Sequence, residues 1–254
     1  MFDEHDMTRD AFLGGRLTVL QPRRGYRAAA DPVLLAAAVP AKPGEAVLEL
    51  GCGAGVASLC LGHRVPGLML SGLELQPAYA DLARRNAKLN GQPFEVVEGD
   101  LATMPPALRL RAFDHVIANP PYFARGDGTA AWDDGREVAQ RAETPLALWI
   151  EAGLRRLRPG GRFTMIQTAE RLDELLAAFA GGAGSLVVLP VASRAGRAAV
   201  RVIVSARKGG RTPLRLLSPF ILHAGARHER DGEDYAPAAR AILRDGAALV
   251  PPLP

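Results

Sequence analysis

Between residues 46 and 167, short apolar runs alternate with stretches of helical spacing, and this alternation constrains the chain more than any other feature. Residues 46–50, 68–73, 94–97, 113–118 and 162–167 read as strands, and the segments between them carry helical patterns. Strands separated by helices point to a parallel sheet covered on both faces. Pro77 at a first helical position opens a helix with Tyr79, Leu82, Ala83 and Ala87 on one face, and Gly91 closes it. Thr144 before Pro145 is a cap signal for a helix that buries Leu146, Trp149, Ile150, Leu154 and Leu157 and stops at Arg158-Pro159-Gly160-Gly161.

Both ends depart from this rhythm. Residues 186–189 and 200–204 are two strands with no helix between them, so they should pair antiparallel. Residues 12–20 read as a strand or hairpin around Gly14-Gly15, and Asp31 before Pro32 caps a short apolar helix through Val39. There is no internal repeat and no linker that divides the chain, so a single domain is expected, with residues 1–40 as an N-terminal strand and helix extension and 41–254 as its core.

Composition excludes several classes. A chain of 254 residues with 48% hydrophobic and 23% charged residues can bury a large core. The net charge of +4 is carried almost wholly by arginine, since Lys42, Lys88 and Lys208 are the only lysines. That balance suits a nucleic-acid partner, and suits equally a solvated surface written in Arg, because no run of five basic residues occurs. Cys52 and Cys60 alone make no disulfide framework, and the five histidines are scattered, so no metal site is expected and His115 reads as structural. With an acidic N-terminus and no stretch of about 18 apolar residues, a cytoplasmic protein without a membrane segment is expected.

The turn Gly51-Cys52-Gly53-Ala54-Gly55 follows the first core strand and opens a helix, a place where backbone can approach a ligand closely. Its G-x-G-x-G spacing differs from the G-x-G-x-x-G of dinucleotide binders, and alone it is compatible with close packing and no ligand. Three carboxylates sharpen it. Glu49 precedes the turn, Asp100 follows Gly99 beyond the third strand, and Glu74 ends the second, where a carboxylate can accept hydrogen bonds from both hydroxyls of a ribose. The fourth strand ends in Asn119-Pro120-Pro121-Tyr122, which in isolation could be an ordinary rigid turn.

Together the glycine turn, Glu74, Gly99-Asp100 and Asn119-Pro120-Pro121-Tyr122 resemble the class I S-adenosylmethionine-dependent methyltransferases of the amino-methylating branch. The resemblance implies a Rossmann-like α/β fold: a mostly parallel seven-stranded sheet with an antiparallel C-terminal strand and helices on both faces. It also implies that Gly51, Gly53 and Gly55 line the methionine half of S-adenosylmethionine with Glu49 near its amino group, that Glu74 holds the ribose and Asp100 the adenine amino group, and that Leu101 packs on the adenine ring. Asn119 and the Pro120 carbonyl would accept the two N–H groups of a target amine, with S-adenosylhomocysteine as product. Tyr122, next to Pro121, would stack on the unstacked base together with Phe123.

A narrower similarity spans nearly the whole chain. Gln21-Pro22-Arg23-Arg24-Gly25-Tyr26-Arg27, the Asp31-Pro32 helix start, residues 201–208 and the late Tyr235 resemble the bacterial valine-tRNA adenine N6-methyltransferase family. This implies tRNA as partner, residues 1–40 contributing to the cofactor or substrate site, and Asp31 near the cofactor, although Ala30-Asp31-Pro32 departs from the family's Thr-Asp-Gly. Residues 124–143, with Arg125, Arg136 and Arg141, read as a substrate-contacting lid. Three rivals stand beside this reading: guanine-N2 methylation of ribosomal RNA, glutamine-N5 methylation of a release factor, and an RNA-binding or assembly factor that has lost catalysis.

Overall fold

The computed structural model describes residues 1–122, 144–225, 227, 233–250 and 253. Its first strand of the main sheet, β3 (Ala46–Leu50), is buried along its whole length. Pleating sends Ala46, Leu48 and Leu50 into the apolar cluster on one face of the sheet and Val47 into the cluster on the other, so both faces need cover. Helices α1 (Ala30–Ala38), α2 (Val56–Arg64) and α3 (Pro77–Leu89) cover the Val47 face. Helices α4 (Pro106–Arg109), α5 (Leu146–Arg156) and α6 (Leu172–Phe179) cover the Leu48 face.

β3 is flanked by β4 (Met69–Glu74) on one side and β6 (Phe113–Ala118) on the other, both parallel to it. β5 (Phe94–Glu98) continues beyond β4, and β7 (Leu157–Thr168) lies parallel beyond β6. The chain therefore builds outward from β3 to β5 and returns to the other side of β3, which opens a crevice at the carboxyl ends of β3 and β6. β9 (Ala199–Lys208) lies between β7 and β8 (Ala183–Ala192) and runs against both, as the two apolar runs at the end of the sequence predict. The seven expected strands are present in the order β5-β4-β3-β6-β7-β9-β8, and among the described residues two two-residue strands, β10 (Arg215–Leu216) and β11 (Phe220–Ile221), add to the β8 edge.

On the Leu48 face, Phe163 of β7 and Phe179 of α6 are fully buried and meet edge to face, ring centroids 5.5 Å apart. Truncating either to Ala should cost about 3–5 kcal/mol. On the opposite face the N-terminal hairpin of β1 (Met7–Phe12) and β2 (Leu17–Pro22) turns through Leu13-Gly14-Gly15, so the hairpin starts earlier and ends later than residues 12–20. The last helix, α7 (Pro237–Asp245), adds Ala239, Ile242 and Leu243 to the buried residues, the latter two in the cluster on the Val47 face.

Two expected caps do not form. α1 begins at Ala30 with no side-chain cap, because the Asp31 carboxylate turns away to other partners. At α5 the cap position falls on Pro145 and not on Thr144, and the Leu146 N–H donates instead to Glu174 Oε1 at 3.3 Å. Among the described residues no helix is long and apolar enough to cross a membrane.

Candidate active site

The glycine turn is shaped from both sides. Gly51 has φ +62°, and a Cβ there would lie 2.5 Å from the Trp149 ring of α5, so neither backbone nor packing admits a side chain. At Gly53 a Cβ would meet only the ring of Tyr26, at 3.6 Å. Gly51 and Gly55, where Phe94 closes in, are thus fixed by packing as well as by positive φ, whereas at Gly53 (φ +55°) the nearest neighbour is the Tyr26 ring.

Glu74, fully buried at the end of β4, accepts from the Gly53 N–H at 2.8 Å through Oε2 and from the Gln76 N–H at 2.9 Å through Oε1. One carboxylate thereby holds the turn and the start of α3 together. A carboxylate has about four acceptor positions, the kind of group that can receive ribose hydroxyls. Glu49 points to the same side of the sheet and accepts from the N–H and the hydroxyl of Ser58, at 3.0 and 2.5 Å. Burial pushes its carboxyl up to about 8; the Ser58 bonds pull the other way, and nearby Glu74 adds to the rise. Asp100 is exposed, and its Oδ1 accepts from the Ala102 N–H at 2.8 Å, closing the turn that carries Leu101 against the apolar cluster. The donor and acceptor set around a small-residue cradle fits a nucleoside-linked amino acid.

The second half of the site is the β6 corner. Leu50↔Ala118 pairing places Asn119 level with Gly51. Pro120 is buried, and the Pro121 carbonyl accepts from Gln167 Nε2 at 3.4 Å, Gln167 being fully buried at the end of β7. Tyr122 Oη lies 2.9 Å from Asn119 Oδ1 and 2.5 Å from Asp31 Oδ2. Asp31 also accepts from Arg201 Nε at 3.1 Å, and the Arg201 guanidinium lies over the Tyr122 ring, 4.3 Å from its centroid. Burial, and then the neighbouring Asp31, hold the Tyr122 phenol far above its ordinary value. Burial would lower the Arg201 guanidinium, but its hydrogen bond and attraction to Asp31 prevail and raise it.

Tyr26 joins the two halves. Its ring lies over Gly53, its hydroxyl accepts from Asn119 Nδ2 at 3.4 Å, and its carbonyl accepts from Tyr79 Oη at 3.1 Å. Of the residues expected at a site, Glu49, Gly53 and Glu74 gather at the glycine turn, and Asn119, Tyr122 and Asp31 gather at the corner. Phe123, Arg125, Arg136 and Arg141 lie outside the described residues. Sequence reasoning did not single out Tyr26, Gln167 or the Asp31–Arg201 pair. Only the presence of Tyr26 in the 21–27 segment hinted at the first.

The methyltransferase small domain family model matches residues 30–181. The chain belongs to the methyltransferase small domain family. As a member it is an S-adenosylmethionine-dependent methyltransferase with a Rossmann-like class I fold. It is 28% identical over 231 residues to the tRNA1(Val) (adenine(37)-N6)-methyltransferase of Dickeya chrysanthemi, covering 89% of this chain and 90% of that one. The enzyme of the same name from Porphyromonas gingivalis is 31% identical over 180 residues, covering 66% of this chain and 69% of that one. Among solved structures, a predicted O-methyltransferase from Agrobacterium tumefaciens superposes with TM-score 0.69 at 26% identity, over 86% of this methyltransferase and 98% of its own chain. The family match ends before β9, so Arg201 reaches into the site from outside the matched region.

Proposed function

We propose that this methyltransferase modifies the exocyclic N6 amine of an adenine in RNA, in the anticodon loop of a tRNA. The observation that carries the reading is Asn119, whose carboxamide stands at the carboxyl end of β6 beside the glycine turn. An exocyclic amine shares its lone pair with the ring and is a poor nucleophile. Two acceptors on its N–H groups, Asn119 Oδ1 and the Pro120 carbonyl, would favour a tetrahedral nitrogen, and a hydroxyl substrate has no second hydrogen to engage them. The names of the Dickeya and Porphyromonas relatives support adenine N6 and tRNA.

Gly51, Gly53, Gly55 and Glu49 would hold the methionine half of the cofactor, Glu74 its ribose, and Asp100 and Leu101 its adenine. When bound, S-adenosylmethionine supplies an electrophilic methyl group on its sulfonium. The protein's own contribution is then positioning and electrostatics, with the base unstacked onto Tyr122. Residues 1–40 serve this site as an extension of a single-domain core, an assignment supported by the contacts of Tyr26 and Asp31. Such a substrate supports a cytoplasmic location.

Mass spectrometry of nucleosides from a strain lacking the gene tests this. N6-methyladenosine should disappear from one tRNA and return when the purified protein and S-adenosylmethionine are added to that tRNA. Loss of N2-methylguanosine from ribosomal RNA, or of methylglutamine from a release factor, with tRNA unchanged, would overturn it.

A further inference from the structure

Two features around Tyr122 have no place in the reading above. A phenol has one proton to donate. Tyr122 Oη nevertheless stands within hydrogen-bond distance of two acceptors, Asn119 Oδ1 at 2.9 Å and Asp31 Oδ2 at 2.5 Å. Asn119 Oδ1 is the oxygen that must receive the target amine. A hydroxyl three residues away that donated to it would compete with the substrate.

The competition is decided by Asp31. Hydrogen bonds from a hydroxyl to a carboxylate are shorter and roughly twice as strong as those between neutral groups, with O···O of about 2.5–2.7 Å. Arg201 fixes the acceptor in place. Its Nε donates to the same Oδ2, and its guanidinium covers one face of the Tyr122 ring. The three groups come from distant parts of the chain, α1, the corner after β6 and the first residues of β9. Asp31 is thus drawn to the acceptor corner, beyond any contact it makes with the cofactor.

We propose that Asp31, held by Arg201, is a positioning residue that draws the Tyr122 proton away from Asn119 Oδ1 and so keeps that oxygen free for the substrate amine. Without Asp31, Tyr122 turns its proton to Asn119 and the corner occupies itself. The inference rests on the amine-methylating reading above, and it carries a signature that simple loss of structure cannot mimic. Deleting the phenol hydroxyl should repair the damage done by deleting the carboxylate.

The test is a set of single-turnover methyl-transfer rates on tRNA for wild type, Asp31→Ala, Tyr122→Phe and the double variant, each at saturating S-adenosylmethionine. Tyr122→Phe should lose about tenfold, because the ring is no longer tethered, and Asp31→Ala about a hundredfold, the scale of a misplaced or blocked catalytic contact. The double variant should recover to the Tyr122→Phe rate. A double variant as slow as Asp31→Ala, or slower, would overturn the proposal. If Asp31→Ala does not fold, Asp31→Asn provides the same comparison, with a smaller loss that Tyr122→Phe again relieves.

A readout free of turnover is equilibrium unfolding, in which Asp31→Asn and Tyr122→Phe should be coupled and not additive. Additivity there would overturn the tether itself. Arg201→Lys should lower the rate with KM for tRNA unchanged, since a lysine cannot present the planar face. A raised KM with a shallower salt dependence would instead make Arg201 a phosphate contact and overturn its part. A wild-type protein inert on every RNA would defeat the substrate reading, whereas additive variants of an active wild type would defeat the tether alone.

Discussion

Asn86 pairs with Leu20 as though it were a strand. Its Oδ1 accepts from the Leu20 N–H at 2.8 Å and its Nδ2 donates to the Leu20 carbonyl at 3.0 Å. One turn further on, at the C-cap of α3, Asn90 repeats the exchange with Thr18. Residues i and i+4 of a helix are spaced about 6 Å along its axis, close to the rise of two residues in a strand, so two carboxamides can serve one strand edge. Asn86 Nδ2 also donates to the Ala54 carbonyl in the glycine turn at 3.0 Å, tying the N-terminal hairpin to that turn.

Asn86→Ala would strand these buried backbone groups. With about 1–3 kcal/mol lost for each unsatisfied group, a fall of about 3 kcal/mol in urea unfolding is expected, together with weaker S-adenosylmethionine binding. A change under about 1 kcal/mol would show that water replaces the amide.

Asn119→Ala should leave S-adenosylmethionine affinity unchanged by calorimetry and lower methyl transfer about 100- to 1000-fold, the usual effect of removing one transition-state hydrogen bond. Undiminished turnover would take Asn119 out of the chemistry.

Glu74→Ala removes the acceptor of the Gly53 N–H as well as the proposed ribose partner. S-adenosylmethionine affinity should fall by more than about tenfold, equivalent to about 1.4 kcal/mol, and adenosine alone should lose binding in proportion. Retained affinity would leave Glu74 as a brace for the turn only.

Glu49 links stability to pH. In the folded protein its carboxyl holds a proton up to about 8, against 4.5 when unperturbed, so between these values the unfolded chain binds fewer protons and stability falls as pH rises. Glu49→Gln should flatten that slope. A cationic amino group bound beside Glu49 favours its charged form, so S-adenosylmethionine binding near neutral pH should release a proton from Glu49. Binding enthalpies that depend on the buffer's ionisation heat in wild type, and less so in Glu49→Gln, would bear this out.

Regular local patterns carried most of the fold in the sequence. β6 falls on residues 113–118 as read, and α3 starts at Pro77 with the expected buried face, because burial on a sheet and on one helix stripe leaves a periodic trace. The cap at Asp31 failed because its carboxylate goes to Tyr122 and Arg201, a choice between its own helix and a distant partner that has no local signature, and at α5 the cap position falls one residue later, on Pro145. Asp31 and Arg201 are 170 residues apart, and Tyr26 sits in a segment with no periodicity, so neither contact with the corner can be read from spacing. The glycine turn was legible as a tight strand-to-helix turn, but the sequence could not separate Gly51, where Trp149 excludes a side chain, from Gly53, where only the Tyr26 ring is near.

The direction of β9 has a consequence for how the enzyme comes into being. Because β9 runs against β7, Thr168 pairs with Arg201 and the strand's first residues lie on the crevice side. β9 also fills the gap between β7 and β8, both made before it. During synthesis the glycine turn can assemble from β3, β4 and α3 while the corner after β6 still lacks the Arg201 guanidinium, so a nascent chain would gain the proposed methyl-donor site before the proposed acceptor corner. Contacts this distant close late and slowly, and the corner is completed only once β9 has been threaded into place.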